Sequence, residues 1–325
     1  MSLRGVYLTA ILEWIRMPFA KRSPYHWKLR TRSLPLGDRT LVMGILNTTP
    51  DSFSDGGSFA TPARAIEHAL AMFDDGADMV DIGGESTRPG KHEPLGTQEE
   101  IDRVLPVLEG VLRHRPKSIL SIDTYKSATA TAALNAGAEI VNDVSGLAWD
   151  EAMAAVCAAA SCGVVLMHLQ GKPGEWHLLP AMDGKEMVAL VKRELGQRLE
   201  QARSAGIGRE NIVLDPGFGF GKAYDRNYFL LVGIEELSRL GQPLLAGVSR
   251  KAFLGRTLSH LYQGADTGAK SRGSATLAAV TAAILAGAQL VRVHDVRPAR
   301  EAAAIADAVL QAAVSTLSSH PPPVQ

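Results

Sequence analysis

The sequence predicts a single α/β domain, a (β/α)8 TIM barrel preceded by a β-hairpin. Three observations predict it. From residue 41 onward, eight short apolar runs alternate with eight helical patterns. The runs are continuously apolar rather than alternating, as parallel strands covered on both sides should be. No break in composition interrupts about 275 residues of this βα order, which favours one closed barrel over an open doubly wound sheet.

Taken in order, residues 1–25 read as a leader, helical or disordered. Their apolar stretch 6–12 is short, is followed by Glu13 and Arg16, and lacks a small-residue cleavage site, so it is not an export signal, and Met17 is an alternative start. Residues 26–40 predict a hairpin turning at Gly37-Asp38 that plugs the bottom of the barrel. The strand runs are 41–46, 79–82, 118–122, 139–141, 163–167, 211–214, 243–248 and 289–293. The helices are 61–75, 97–114, 126–136, 150–160, 184–205, 225–240, 270–286 and 297–316. Several of them stop at glycine, at Gly76, Gly137, Gly206, Gly241 and Gly287, the signature of a left-handed C-cap. The barrel with its hairpin spans 26–317, and 318–325, with Pro321, Pro322 and Pro323, form a disordered tail.

Composition removes several classes of function. Lys and Arg number 34 against 34 Asp and Glu, so no basic footprint marks a nucleic-acid partner. Residues 274–291 carry no charge over a length that could span a membrane, but Ser274, Thr276, Thr281 and Gln289 interrupt them, and they split at Gly287 into a buried helix and a buried strand. The two cysteines, Cys157 and Cys162, fit neither a disulfide framework nor a zinc site, and read as small core residues of a reduced, cytoplasmic protein.

Catalytic side chains of such barrels gather at the C-terminal ends of the strands. All eight ends here are polar. The first run is followed by Asn47 and a loop through Phe53, Asp55, Gly56 and Gly57; the second by Gly83-Gly84-Glu85-Ser86-Thr87-Arg88-Pro89-Gly90. The third ends in Asp123, the fourth in Asn142-Asp143, the fifth in Met167-His168 and the sixth in Asp215-Pro216-Gly217-Phe218-Gly219-Phe220-Gly221-Lys222. The seventh has Gly247 near its end and is followed by Ser249-Arg250-Lys251, and the eighth has Arg292 near its end and is followed by His294 and Asp295. Any one of these could merely cap a helix, but eight together point to a site. The glycine loop at 217–221 lacks GxGxxG spacing and a following acidic residue, which excludes a Rossmann reading. No HExxH or GxSxG motif supports zinc hydrolysis or a serine nucleophile.

Segments 47–57, 81–90, 215–222, 247–255 and 291–296, in this order, closely resemble the dihydropteroate synthase family. The resemblance covers about 41–310 and implies joining of 6-hydroxymethyl-7,8-dihydropterin diphosphate to 4-aminobenzoate, giving dihydropteroate and pyrophosphate in folate synthesis. It implies that Asp123, Asn142, Met167, Asp215, Phe218, Gly247, Lys251 and Arg292 bind the pterin, and that Asn47, Arg88, Arg292 and His294 bind the diphosphate. It places Phe53, Thr87, Arg88, Pro89, Phe218, Ser249 and Lys251 on the aminobenzoate, and gives Asp123, Lys251, Asp55 and Arg292 the catalytic roles. It further implies magnesium (Mg2+) with Asn47 as its protein ligand and a homodimer; the first and second loops are expected to close as a lid, because a cation formed in an open barrel mouth would be captured by water. The residue types fit this chemistry independently: a buried carboxylate suits the adjacent N–H donors of a pterin edge, an amide suits its mixed edge, and fixed cations suit a diphosphate. The alternatives are a pterin-binding barrel without synthase activity and a methyltetrahydrofolate methyltransferase-like protein. Departures are minor: Thr48 stands where valine is common, Ala275 where glycine is usual, and the loop 256–269 is long.

Overall fold

A computed structural model describes residues 22–49, 62–85, 95–171, 173–180, 182–262 and 268–318. An antiparallel hairpin, β1 (Tyr25–Lys28) and β2 (Ser33–Leu36), precedes the barrel. The barrel strands are β3 (Leu41–Asn47), β4 (Met79–Gly83), β5 (Leu120–Asp123), β6 (Ile140–Asp143), β7 (Gly163–Met167), β8 (Ile212–Asp215), β9 (Leu245–Ala246) and β10 (Leu290–Val293). The helices are α1 (Pro62–Asp74), α2 (Thr97–His114), α3 (Ser127–Asn135), α4 (Met153–Ala160), α5 (Gly184–Ser204), α6 (Arg226–Val232), α7 (Ile234–Ser238), α8 (Ala252–Leu261), α9 (Gly273–Leu285) and α10 (Val296–Ser318).

Strands β3 to β8 pair in parallel in chain order, while β10 pairs with the other side of β3 and with β9. A parallel bridge between Leu214 and Leu244 brings the β9 side against β8 and closes the ring. The predicted run 243–248 is thus a strand for two residues only. Side-chain amides take the place of the missing ladder: the Leu244 N–H donates to Gln289 Oε1 at 2.8 Å, and Gln242 Nε2 donates to the Ile212 carbonyl at 3.0 Å. Pro243 has no N–H to contribute, yet its carbonyl accepts from Leu214 N at 2.9 Å.

Side chains along the strands alternate between two cores, as period-two geometry requires. Val42, Leu46, Val80, Ile82, Leu120, Ile122, Val141, Val164, Leu166, Leu214 and Val291 face the helices. Met43, Met79, Ile140, Val165, Val213, Leu245 and Leu290 fill the lumen together with Trp27, Leu29 and Leu36 of the hairpin. The hairpin therefore plugs the barrel bottom. Trp27 is fully buried, its Nε1 donates to the Asn211 carbonyl at 2.8 Å, and Asn211 Nδ2 returns a bond to the Lys28 carbonyl at 2.9 Å.

The hairpin turns elsewhere than predicted. Residues 29–32 make the reversal, closed by Leu29 N on the Arg32 carbonyl at 2.8 Å. Gly37 instead lies past β2 with φ 115°, where a side chain would strike the Ser23 carbonyl. The predicted helix 225–240 is two helices, α6 and α7, separated at Gly233, where a Cβ would meet Val188 and the Phe229 carbonyl. The long loop 256–269 contains the second half of an unpredicted helix, α8. Cys157 and Cys162 are buried and carry no disulfide. Residues 274–291 do split into helix α9 and strand β10, and no described helix is long and apolar enough to cross a membrane.

Candidate active site

The same alternation that puts Met79, Ile140, Val213 and Leu290 in the lumen puts Asp81, Asn142, Asp215 and Arg292, two residues further on, in the lumen one layer higher. A cavity at the C-terminal strand ends is lined by Asp123, Asn142, Val144, Met167, Asp215, Gly217, Phe218, Phe220, Gly247, Lys251 and Arg292. Eight residues expected to bind pterin thus come together round one space. Asn47 ends β3 on the same rim, opposite Gly83, and Ser249 and His294 lie on it outside that lining. Phe53, Asp55, Thr87, Arg88 and Pro89 lie outside the described residues, as do the lid loops.

Arg292 is the charge centre of the site. Its Nε donates to Asp81 Oδ2 and its Nη2 to Asp123 Oδ2, both at 2.7 Å. Asp81 Oδ2 also accepts from Asn142 Nδ2 at 2.7 Å, while its Oδ1 is buried without a hydrogen-bond partner. Burial opposes the charged guanidinium, but Asp81 and Asp123 outweigh it and hold Arg292 above its ordinary value. Burial pushes Asp123 up to about 7, against the pull of Arg292 and with added repulsion from Asp81. One lumen therefore holds a permanent cation and a carboxyl poised to titrate near neutrality.

Across the lumen, Asp215 Oδ1 accepts from Gly217 N at 2.7 Å, and burial raises its carboxyl above the usual range. The loop after β8 folds back on itself through glycines. At Gly217, φ 68°, a Cβ would sit 1.9 Å from the His168 carbonyl, and at Gly221, φ 71°, 2.1 Å from the Gln170 carbonyl. Beneath it, buried Lys222 Nζ donates to the carbonyls of His168 (3.1 Å), Gly217 (2.8 Å) and Phe220 (2.9 Å). Burial drives this lysine down to about 7, but three acceptors need three N–H bonds, so the geometry fits the ammonium, which Asp215 favours. Lys251 Nζ stands 4.0 Å from the centroid of the Phe220 ring, a cation–π contact at the cavity wall.

Other polar strand ends serve the backbone. Asp143 accepts from Ser145 N and Oγ, both at 2.7 Å, and from Leu147 N at 3.0 Å, which shapes the turn after β6. His168 Nε2 pairs with Glu194 Oε2 at 2.9 Å; burial lowers this ring to about 4, so it is neutral, with Nε2–H donating. Ser249 Oγ accepts from the His294 backbone N–H at 3.2 Å and lies 2.9 Å from Nδ1, which fits donation to that nitrogen and a ring proton on Nε2. Between Ser249 and Lys251, Arg250 takes a left-handed φ of 56° and forks onto Asp295 at 3.1 and 2.5 Å. At the root of the second loop, Lys126 bridges Glu85 and Glu100.

The arrangement suits a flat, polar heterocycle carrying an anionic substituent. Met167 and Phe218 supply apolar walls, Asp215 and Asn142 hydrogen-bonding edges, and Arg292 and Lys251 positive charge. Of the lining residues, Val144, Gly217 and Phe220 were not singled out as site residues from sequence, and neither was Asp81, which supports the lining. Phe220 stands two places after Phe218 in the glycine loop, and the lysine over its ring gives it a face on the cavity that sequence spacing alone does not show. Asp81 was signalled by parity: it lies between Met79 and Gly83 on the inward side of β4. Among the described residues, no group of three or more His, Cys, Asp or Glu could hold a metal ion.

Comparison with known proteins agrees with this geometry. The profile of the pterin binding enzyme family matches residues 43–294. The dihydropteroate synthase of Synechocystis sp. is 42% identical over 273 residues, covering 84% of this chain and 91% of that protein. The crystal structure of Yersinia pestis dihydropteroate synthase with a sulfonamide drug complex superposes with a TM-score of 0.80 at 40% identity, covering 88% of this chain and 99% of that one. Xanthomonas albilineans dihydropteroate synthase in complex with 7,8-dihydropteroate gives a TM-score of 0.75 at 36% identity, covering 91% and 100%.

Proposed function

The chain belongs to the pterin-binding enzymes and, within them, to the dihydropteroate synthases, a premise from which we propose that the cavity at its strand ends holds 6-hydroxymethyl-7,8-dihydropterin diphosphate for attack by 4-aminobenzoate. One observation carries the assignment: a buried carboxylate, Asp215, and an oriented amide, Asn142, line the same space as an arginine held between two carboxylates.

Asp215 accepts from the N–H donors of the pterin's amino edge, and Asn142 meets the mixed edge of the ring. Met167 and Phe218 enclose its faces, and Gly247 leaves room for it on the cavity wall, where a Cβ would lie beside Asp215 Oδ2 at an ordinary contact distance of 3.5 Å and take up space next to the ring edge. Arg292 and His294, with Arg88, hold the diphosphate. As the bond from the exocyclic methylene to the diphosphate oxygen breaks, its electron pair leaves with pyrophosphate, and the electron-rich pterin spreads the resulting positive charge. Asp123 faces that charge and stabilises it in a site where water screening is weak. The amine lone pair of 4-aminobenzoate then forms the new C–N bond, and the proton lost from the resulting ammonium is released to solvent. Phe218, Ser249 and Lys251, with Phe53, Thr87 and Pro89, hold the aminobenzoate, and Asp55 joins the catalytic set.

Asn47 fits magnesium only as one member of its shell. Its amide oxygen is a hard donor at the barrel mouth, and a small hard cation takes few protein ligands when phosphate oxygens and water supply the rest. Bound there, the metal would neutralise charge on the leaving group. A homodimer is supported by apolar groups left exposed on the outer helices, Phe229 and Val232 on α6 and Leu261 and Tyr262 at the end of α8. A reduced, cytoplasmic setting accords with the two buried thiols. Sulfonamide binding, described for the Yersinia relative, extends to this chain as occupancy of the aminobenzoate position. The test is direct: purified protein, the two substrates and magnesium should yield pyrophosphate and dihydropteroate in equal amounts, and pterin diphosphate left intact beside 4-aminobenzoate would refute the assignment.

A further inference from the structure

We propose that Asp81, which does not itself line the cavity, is the positioning residue of the pterin site: through one oxygen it sets the amide orientation of Asn142 and anchors Arg292. This rests on the pterin assignment above. Asp81 sits on β4 in register with Ser121, one layer below the Gly83 and Asp123 pair. It is fully buried, and Oδ2 accepts from Asn142 Nδ2 and from Arg292 Nε at the same 2.7 Å.

The consequence for Asn142 is chemical. An asparagine amide is nearly symmetric in shape, and an isolated side chain can turn its oxygen or its nitrogen either way. A carboxylate can only accept, so Asp81 admits only the nitrogen. The amide oxygen and the second N–H of Asn142 are thereby directed elsewhere, in a defined sense, and the edge presented to a pterin has fixed polarity. Arg292 is constrained likewise. With Nε on Asp81 and Nη2 on Asp123, two sides of its planar fork are engaged and the plane of the guanidinium is set before any phosphate arrives. Asp81 Oδ1 has no hydrogen-bond partner, which makes Arg292 its principal neutralising group and ties the two residues together.

The test compares Asp81→Asn, which keeps an acceptor oxygen, with Asp81→Leu, which is similar in size and accepts nothing. Affinity for 6-hydroxymethylpterin, which has no diphosphate, is measured by calorimetry on the full chain, alongside Asn142→Ala and the double variant Asp81→Leu/Asn142→Ala. The expected result is affinity within about threefold of the parent for Asp81→Asn and a loss of about tenfold for Asp81→Leu and for Asn142→Ala. The double variant should bind no more than about threefold worse than Asn142→Ala alone, because the diphosphate that Arg292 holds is absent from this ligand and the influence of Asp81 on it runs through Asn142. Losses that multiply to about a hundredfold, parent-like binding by Asp81→Leu, or equal weakness of Asp81→Asn and Asp81→Leu would each overturn the proposal. If the leucine variant does not fold, Asp81→Ala, which also removes the acceptor, takes its place: a loss of about tenfold there with parent-like binding by Asp81→Asn supports the proposal, and parent-like binding by Asp81→Ala overturns it. Failure of the parent protein to bind the pterin would instead refute the site assignment, which keeps the two results distinct.

Discussion

Arg292 on β10 and Asp123 on β5, strands separated round the barrel by β3 and β4, meet across the lumen at 2.7 Å. No local sequence signal joins them. The closed ring does, because inward-facing positions at one height of a barrel converge on a common axis. Their pairing places a permanent cation against a carboxyl that burial has made a poor acid, and most of the expected behaviour of the site follows from that.

The first expectation is a titration. Asp123 is held near 7, whereas an unperturbed aspartate titrates near 3.8. Between those values the folded chain keeps a proton that the unfolded chain has lost, so the contribution of this group to stability falls as pH rises across that window and is constant above it. The carboxylate able to face a cation becomes the major form only as pH rises through about 7. Turnover of the pterin diphosphate should therefore rise with pH through roughly 7 to a plateau, and Asp123→Asn should lower the rate and remove that limb. A limb of the same midpoint in Asp123→Asn would assign the titration to another group.

Lys222 makes a prediction about stability rather than chemistry. Replacing it with methionine fills similar space and strips hydrogen bonds from three buried carbonyls, at a cost of about 3 kcal/mol. Denaturant unfolding should show that loss. Because the same loop carries Phe218 and Phe220 and its Gly217 N–H holds Asp215, pterin affinity should fall with it. Unchanged stability would mean that water replaces the ammonium without penalty.

Bond order in the reaction is open to isotopes. If departure of pyrophosphate runs ahead of amine attack, the bridging oxygen of labelled pterin diphosphate should scramble with non-bridging positions while no 4-aminobenzoate is consumed. Normal turnover without scrambling or pyrophosphate exchange would indicate a concerted displacement.

Particular residues explain what the sequence disclosed and what it hid. The strand ends were legible because apolar runs stop abruptly at Asn47, Asp123, Asn142 and Asp215, and the last is broken by Arg292 one residue before its end; a barrel needs no further information to gather them. Asp81 was overlooked because β4 reads as a continuous apolar run with one interruption; only its parity with Met79, a lumen residue, marks it as inward-facing. Phe220 and Phe218 have the same spacing from adjacent glycines, and outside a sheet no parity tells which ring the lysine will cover. The turn of the hairpin was misplaced because glycine signals a left-handed residue without saying which reversal uses it; Gly37 has that conformation, but the chain reverses at 29–32. Strand β9 was overestimated because Gln242 and Gln289 satisfy its neighbours through side chains, which apolar periodicity cannot register.

The claim that the pterin sits at the strand ends with its donor edge on Asp215 is tested most directly by calorimetry of 6-hydroxymethylpterin on Asp215→Asn. The amide keeps the size of the carboxylate but accepts on one side only, and the Gly217 N–H already takes one oxygen of the parent. A pterin donor is then left unpaired at a cost of roughly 1–3 kcal/mol, and affinity should fall about tenfold or more with the melting profile preserved. Unchanged affinity in Asp215→Asn would contradict the account and remove this carboxylate from the pterin site.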